Sequence, residues 1–401
     1  METKVFYTAS DEAAEIIKNG GLVAVPTETV YGLCANGLDG NAVKKIFELK
    51  GRDENKPLAL MISGAEDIEK YALNIPAAAL ALAEKFWPGP LTIILEAREF
   101  IPEIVRASYP TIGLRCPNKK VTLELIKKCA LPLAGPSANP SGGKNPVSAK
   151  EVLAYFNGNI DAVIDGGESE LKESSTVISL AETPYKILRY GALPESEIVD
   201  ALISAMKIIG LGGRTGSGKT TALKVAEDMG ALALDCDKIY SELTESSEDL
   251  KSELTAEFGD VYIGNTLDRK KLANKVFGDE KALKSLNRIS HKYVGHEVLR
   301  RLGAHAMQGG KFAAIDAVEL FAGDVVNLCS KCFALISSYD LQIERIMKRD
   351  GISEEMAIKR LNAQKPDSYY IEKSDEVIES RFDDIDEFTR LCKQKFKEVF
   401  V

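Results

Sequence analysis

The most chemically legible stretch covers residues 207–221, KIIGLGGRTGSGKTT. Gly213, Gly216 and Gly218 lead into Lys219, Thr220 and Thr221 in the order Gly-x-x-x-x-Gly-Lys-Thr, a P-loop. Such glycines let backbone N–H groups turn inward around phosphate oxygens, and a following helix points its partially positive end at the same anion. Lys219 would reach the β- and γ-phosphates, and the Thr220 hydroxyl would ligate Mg²⁺. Downstream, Asp235-Cys236-Asp237 and Asp316 each end an apolar run. Carboxylates at the end of a strand beside a phosphate can hold Mg²⁺ or take a proton from an attacking hydroxyl, although the pair Asp235 and Asp237 could also cap the helix that starts near Lys238. Arg345, Arg349 and Arg360 sit on two helical stretches, 342–349 and 354–364, with Gly351 between them. That arrangement suits a lid closing over a transferring phosphate, or solvated helix charge.

The first half carries a dispersed set of polar residues. Thr27, Thr29 and Tyr31 follow an apolar run at 22–25, where their hydroxyls can grip a small ligand or cap a turn. Lys50 and Arg52 stand at the end of a helical stretch over 41–49, with Lys56 shortly after. Taken alone, such cations offset a helix dipole. Thr111 begins and Arg115 ends a short strand, Ser137 and Asn139 follow the apolar 131–134, Ser175 precedes a strand over 177–180, and Arg189 closes the region. Singly these are loop residues. Together they place hydroxyl, amide and cationic groups at strand ends, which is how an α/β sheet builds a cleft for an anion.

The elements that must position these groups alternate between short apolar strands and helices. A P-loop fold needs its own first strand at 207, so the preceding residues must form a separate domain. Both halves are rich enough in apolar residues, 45% over the chain, to bury a core. Net charge is −9, with 21 basic and 27 acidic side chains in residues 1–206 and 30 and 33 in residues 207–401, so neither half is a basic module for nonspecific nucleic-acid binding. Seven scattered cysteines, with one CxxC at Cys329 and Cys332 and no second pair or histidine cluster, suggest reduced thiols rather than a disulfide framework or zinc site. No long apolar span or basic leader is seen, so we expect a soluble, cytoplasmic protein without membrane contact.

In this order, the motifs PTETVYGL, Lys50-x-Arg52 with Pro57-Leu58, Trp87-Pro88-Gly89, Gly113-Leu114-Arg115, Ser137-x-Asn139 and Ser175-Thr176 with Arg189 resemble the YrdC-like family of threonylcarbamoyl-AMP synthases across residues 5–195. The resemblance implies that L-threonine and bicarbonate give N-carboxythreonine, which attacks the α-phosphorus of ATP to form threonylcarbamoyl-AMP and pyrophosphate. Lys50, Arg52, Ser137 and Asn139 would form the core around ATP and the carboxylate. Thr29, Arg115 and Ser175 would hold threonine, and Lys56, Thr111 and Arg189 would lie further out on the nucleotide. The product would go to adenosine 37 of certain tRNAs through a separate threonylcarbamoyl transferase. Met61 stands where relatives often carry a histidine.

The second half resembles dephospho-CoA kinase over 207–379, through the P-loop, Asp235-x-Asp237, His291, Asp316 and the arginine-bearing segment ending in Asn362-Ala363-Gln364. The resemblance implies Mg²⁺-ATP as phosphoryl donor and the ribose 3′-hydroxyl of dephospho-CoA as acceptor. Lys219 and Asp237 would be catalytic, with Asp237 taking the proton. Gly213, Gly216, Gly218, Lys219, Thr220, Thr221, Arg345 and Arg349 would bind nucleotide, and Thr220 and Asp237 would bind the metal. Lys292 replaces a usual proline, the 316–323 stretch lacks the family's proline and glutamate, and Glu379-Ser380-Arg381 stands where an adenine loop is expected. The expected architecture is α/β throughout: a YrdC-like twisted-sheet domain over 1–195, a linker over 196–206, and a P-loop kinase-like parallel-sheet domain over 207–401. Two other readings remain open: a non-catalytic nucleotide-binding regulatory module in the second half, and an RNA-binding module in the first.

Overall fold

The computed structural model describes residues 2–276, 278–380 and 385–400. Arg381 lies outside the described residues. The chain divides into two compact units, Met1–Ala205 with Met307–Gly309, and Met206–Ala306 with Gly310–Val401.

In the first unit an 11-stranded mixed sheet organises the fold. From its third strand to one edge it runs in the order Val23–Val25, Gly32–Asn36, Leu133–Ala134, Ala59–Met61, Thr111–Arg115, Leu91–Ala97, Thr176–Ser179 and Lys186–Arg189. Residues distant in sequence are thereby brought to neighbouring strand ends. The helix Asp11–Lys18 is started by Ser10, whose Oγ accepts from the Ala13 N–H, and it buries Ala13, Ala14 and Ile17. These pack with Val23, Val25, Leu125, Ile126 and Ile164 in one core cluster. The helix Gly40–Lys50 is capped by Asp39 and ends at Gly51, whose φ of 59° is left-handed. The reversal there lets the Arg52 N–H reach the Phe47 carbonyl, placing Lys50 in the last turn and Arg52 just past it. The stretch 196–206 begins inside the helix Glu195–Ser204, which buries Ile198, Ala201 and Leu202 and packs on the helix Ala77–Phe86.

The second unit is built on a five-stranded parallel sheet in the order Leu232–Asp235, Phe312–Asp316, Lys207–Gly212, Lys331–Ile336, Glu376–Glu379. The strand feeding the P-loop is central and buried from Ile208 to Gly212, as expected of a parallel strand covered on both faces. Helices Lys219–Asp228 and Ile385–Lys397 contribute Ala222, Ala226, Phe388 and Phe396 to the core beneath it. Helices Cys236–Ser246, Glu248–Phe258 and Arg269–Val276, with the long helix Glu280–Met307, surround a second core around Leu250, Leu254, Phe258 and Ile289. Among the described residues no helix is long and apolar enough to cross a membrane.

Candidate active sites

In the first unit a cavity of about 270 Å³ opens at the strand ends. Its wall includes Thr29, Arg52, Arg115, Ser137, Ser175 and Arg189, and among the described residues none that lines it is acidic. Each cation is held from behind. Arg52 donates from Nε to the Lys56 carbonyl (3.3 Å) and from Nη2 to the Pro57 carbonyl (3.2 Å). Arg189 donates from Nε to the Ser175 carbonyl (3.0 Å) and from Nη2 to Ser175 Oγ (2.9 Å), which also pairs with Thr92 Oγ1 (2.9 Å). Arg115 Nη2 is shared between Glu28 Oε1 and Thr29 Oγ1, both at 2.7 Å.

Lys50 stands behind the wall rather than in it. It is 4% exposed, and its ammonium donates to the backbone carbonyls of Ser137 and Asn139. The same loop is fastened to the Gly32 strand by the Leu33 N–H on the Pro136 carbonyl and the Ala138 N–H on the Tyr31 carbonyl. Asn139 uses Nδ2 on the Pro140 and Gly143 carbonyls, while its Oδ1 is buried without a partner. Lys56 and Thr111 do not line the cavity, nor does Asn139. Thr111 shares a strand face with Gly113 and Arg115, which do, so it lies further out along that strand. Met61 does line the cavity, and its Cε fills the space beside Gly135 that a side chain there would need.

Burial and mutual repulsion set the electrostatics. Desolvation, then the nearby Arg52, lowers the Lys50 pKa to about 8. Desolvation also lowers Arg52, and it lowers Arg189 together with repulsion from Arg115 and Arg52. Cations crowded into a space without a carboxylate in its lining gain from an incoming anion.

The second site is built largely from backbone. Gly213, Gly216 and Gly218 have φ of 149°, 84° and 100°, a region that side-chain-bearing residues rarely adopt. A Cβ on Gly213 would also lie 2.4 Å from the Leu335 carbonyl. Helix Lys219–Asp228 starts at the next residue, with Thr220 exposed in its first turn and Thr221 partly buried. Lys219 Nζ bends back to the Arg214 carbonyl (3.2 Å). The segment read as a lid grips this loop: Arg214 donates to the Leu361 carbonyl (2.7 Å), Gln364 exchanges two hydrogen bonds with Thr215 (2.8 and 2.7 Å), and Arg345 donates to the Gly216 carbonyl (3.1 Å) and Ser380 Oγ (3.0 Å). Arg349 and Arg360 both pair with Asp350.

Strand register puts Asp235 beside Asp316, next to the P-loop strand. The helix cap near Lys238 falls to Asp235, whose carboxylate accepts the Lys238 N–H (3.0 Å), so Asp237 is spared that role. Desolvation and repulsion from Asp235 raise the Asp237 pKa, against the pull of Lys219, Arg360 and Arg349. Asp316 is pushed up to about 7 by burial, with repulsion from Asp235 and Asp237 opposing Lys219. Among the described residues no three His, Cys, Asp or Glu side chains form a ready-made metal site.

Sequence reasoning did not assign Glu28, Thr92 or Gln364 a part in these sites. The signal for Glu28 was a single charge inside an otherwise uncharged stretch after a core strand. For Thr92 and Gln364 only the fold supplies the partner.

A family model described as telomere recombination, Sua5/YciO/YrdC, matches residues 15–191, and a dephospho-CoA kinase model matches residues 207–383. The first half is similar to a threonylcarbamoyl-AMP synthase of Pyrococcus abyssi, 48% identical over 186 residues, covering 46% of this chain and 55% of that protein. It is also similar to a putative threonylcarbamoyl-AMP synthase of Methanocaldococcus jannaschii, 38% identical over 178 residues, covering 44% of this chain and 83% of the relative. The chain spans little more than half the length of the Pyrococcus abyssi enzyme and of its Bacillus subtilis counterpart (57%). The solved dephospho-CoA kinase of Campylobacter jejuni is 21% identical with a TM-score of 0.33, covering 49% of this chain and 98% of that one.

Proposed function

The chain belongs, through residues 15–191, to the Sua5/YrdC family of threonylcarbamoyl-AMP synthases, and we propose that its first unit joins L-threonine, bicarbonate and ATP into threonylcarbamoyl-AMP, releasing pyrophosphate. The observation that carries this reading is the convergence of Arg52, Arg115 and Arg189 with the Thr29, Ser137 and Ser175 hydroxyls on one cavity that no acidic residue lines. In the reaction a carboxylate oxygen of N-carboxythreonine bonds to the α-phosphorus as the bond to the pyrophosphate oxygen breaks. Negative charge grows on phosphate oxygens, and fixed cations stabilise it without reorganising. Arg52 and Arg189 serve the phosphates. Arg115, Thr29 and Ser175 serve threonine. Lys50 and Asn139 hold the Ser137 loop, with Lys56 and Thr111 toward the nucleotide's outer part. The product is passed in the cytoplasm to a separate transferase for tRNA modification. Pyrophosphate release that needs both threonine and bicarbonate tests the reading; release indifferent to either would overturn it.

For the second unit, the P-loop domain over 207–401, we propose ATP-dependent phosphorylation of a hydroxyl, with the dephospho-CoA 3′-hydroxyl as acceptor. The backbone of Gly213–Lys219 would cradle the phosphates with Thr221 and Arg345 beside them, and Asp237, uncommitted to capping and raised in pKa, suits proton acceptance. Mg²⁺ fits the donors present: the exposed Thr220 hydroxyl and Asp237 supply few protein ligands, as is usual where phosphate oxygens and water complete the shell. When bound, it neutralises charge on the β- and γ-phosphates. Formation of CoA and ADP in equal amounts, lost in Lys219→Ala and Asp237→Asn, tests this. ATP binding without turnover would make the unit a regulatory module, a reading favoured by the altered 316–323 stretch.

A further inference from the structure

We infer that Glu28 is a positioning residue for the threonine subsite, acting through Arg115; this deepens the synthase reading and rests on it. Glu28 is 5% exposed and does not line the cavity, so it does not touch substrate. Its two carboxylate oxygens are both used: Oε1 accepts from Arg115 Nη2 (2.7 Å) and Oε2 accepts from the Asn118 N–H (2.8 Å). The backbone contact fixes the carboxylate, and the carboxylate fixes one corner of the guanidinium. Thr29 holds the same corner through its Oγ1 (2.7 Å), and its hydroxyl is in turn paired with Thr27 Oγ1 (2.8 Å). Among the described residues Arg115 Nε is buried without a hydrogen-bond partner, so Glu28 and Thr29 hold the guanidinium through Nη2.

A contrast among the arginines sharpens the inference. Among the described residues, Arg115 is the one lining arginine that forms an ion pair, and that pair is buried, its side chains 11% and 7% exposed. Arg52 and Arg189 are anchored by carbonyl and hydroxyl oxygens, and among the described residues neither forms an ion pair, although Asp53 lies near enough to Arg52 to attract it. Glu28 therefore divides the site. It leaves two cations without an ion pair for polyphosphate and one ion-paired, rigidly aimed guanidinium for the single carboxylate of an amino acid. Without Glu28 the Arg115 region would carry a whole uncompensated charge and attract phosphate in threonine's place.

The test is a double-mutant cycle on the full chain, following threonine-dependent pyrophosphate release. In Glu28→Gln the threonine KM should rise roughly ten- to a hundredfold, the size seen when an outer partner orienting a ligating group is removed. The ATP KM should stay near wild type, and excess ATP should begin to compete with threonine. In the Arg115→Ala background, where no guanidinium remains for Glu28 to hold, adding Glu28→Gln should change threonine KM little further. Equal rises in both KM values, or full additivity in the Arg115→Ala background, would overturn the positioning role. If Glu28→Gln does not fold, the comparison of Arg115→Ala with the double variant still decides it. Failure of the synthase reading is recognised separately, because wild type would then show no threonine-dependent release.

Discussion

The cavity of the first unit and the P-loop of the second both suit phosphate, yet they are made of different material. The first draws side chains from Thr29 to Arg189 across a mixed sheet. The second uses the backbone of consecutive residues, Gly213 to Thr220, at the end of one strand. Their charges differ as well. In the first, crowded cations have depressed pKa values and no acid in the lining. In the second, Lys219 and Arg345 already donate to the loop's own carbonyls, and the strained groups are carboxylates raised by burial and by one another. A side-chain site should therefore fail when a cation is removed. A backbone site should fail when a glycine is filled.

The largest effect should follow Arg52→Ala, which removes a cation from the cavity wall that the proposed reaction would turn toward developing phosphate charge. Threonine-dependent pyrophosphate release should fall about 10²–10³-fold, with nucleotide binding by the second unit unchanged. Next, Gly216→Ala places a Cβ 2.8 Å from the Gln342 carbonyl at a φ of 84°, at a cost of about 1–3 kcal/mol. Calorimetry should show lost ATP affinity in the second unit while pyrophosphate release persists. Gly135→Ala in the first unit should do less, because the new Cβ meets side-chain atoms, the movable end of Met61 and then Cys34 Sγ at 3.0 Å, where the Cβ on Gly216 meets backbone; equal losses from the two substitutions would erase the contrast.

Proton linkage gives a smaller, signed effect. With its pKa lowered to about 8, Lys50 loses its charge as pH rises through that value. Anion binding should restore it, so ATP binding near pH 8 should take up a proton, measurable by calorimetry in buffers of different ionisation enthalpy and absent in Lys50→Met. Smallest is the stability term of Asp316, raised from 3.8 to about 7. Between these values the folded state holds more protons than the unfolded, so its contribution to stability falls as pH rises through that window. Asp316→Asn should flatten the pH dependence of the second unit's unfolding midpoint.

The same contrast explains what could be read from the sequence. The P-loop was legible because its glycines, Lys219 and Thr220 are contiguous, and a strand and helix flank them. In the first unit Arg52, Arg115, Ser137, Ser175 and Arg189 could be named from motif order, but their meeting in one cavity depends on strand order, which no local pattern encodes. Lys50 behind the wall and Glu28 behind Arg115 are consequences of packing. Which of Asp235 and Asp237 caps the helix turns on where that helix begins, a matter of a residue or two that propensity does not decide, and the cap is Asp235.

The central claim is that one chain carries two chemically independent sites, the first of them making threonylcarbamoyl-AMP. The most direct test is mass-spectrometric detection of that product from ATP, threonine and bicarbonate, using wild type, Arg52→Ala and Lys219→Ala. Product should form in wild type and in Lys219→Ala and be lost in Arg52→Ala. No product in wild type, or product that vanishes with Lys219 and survives without Arg52, would contradict it.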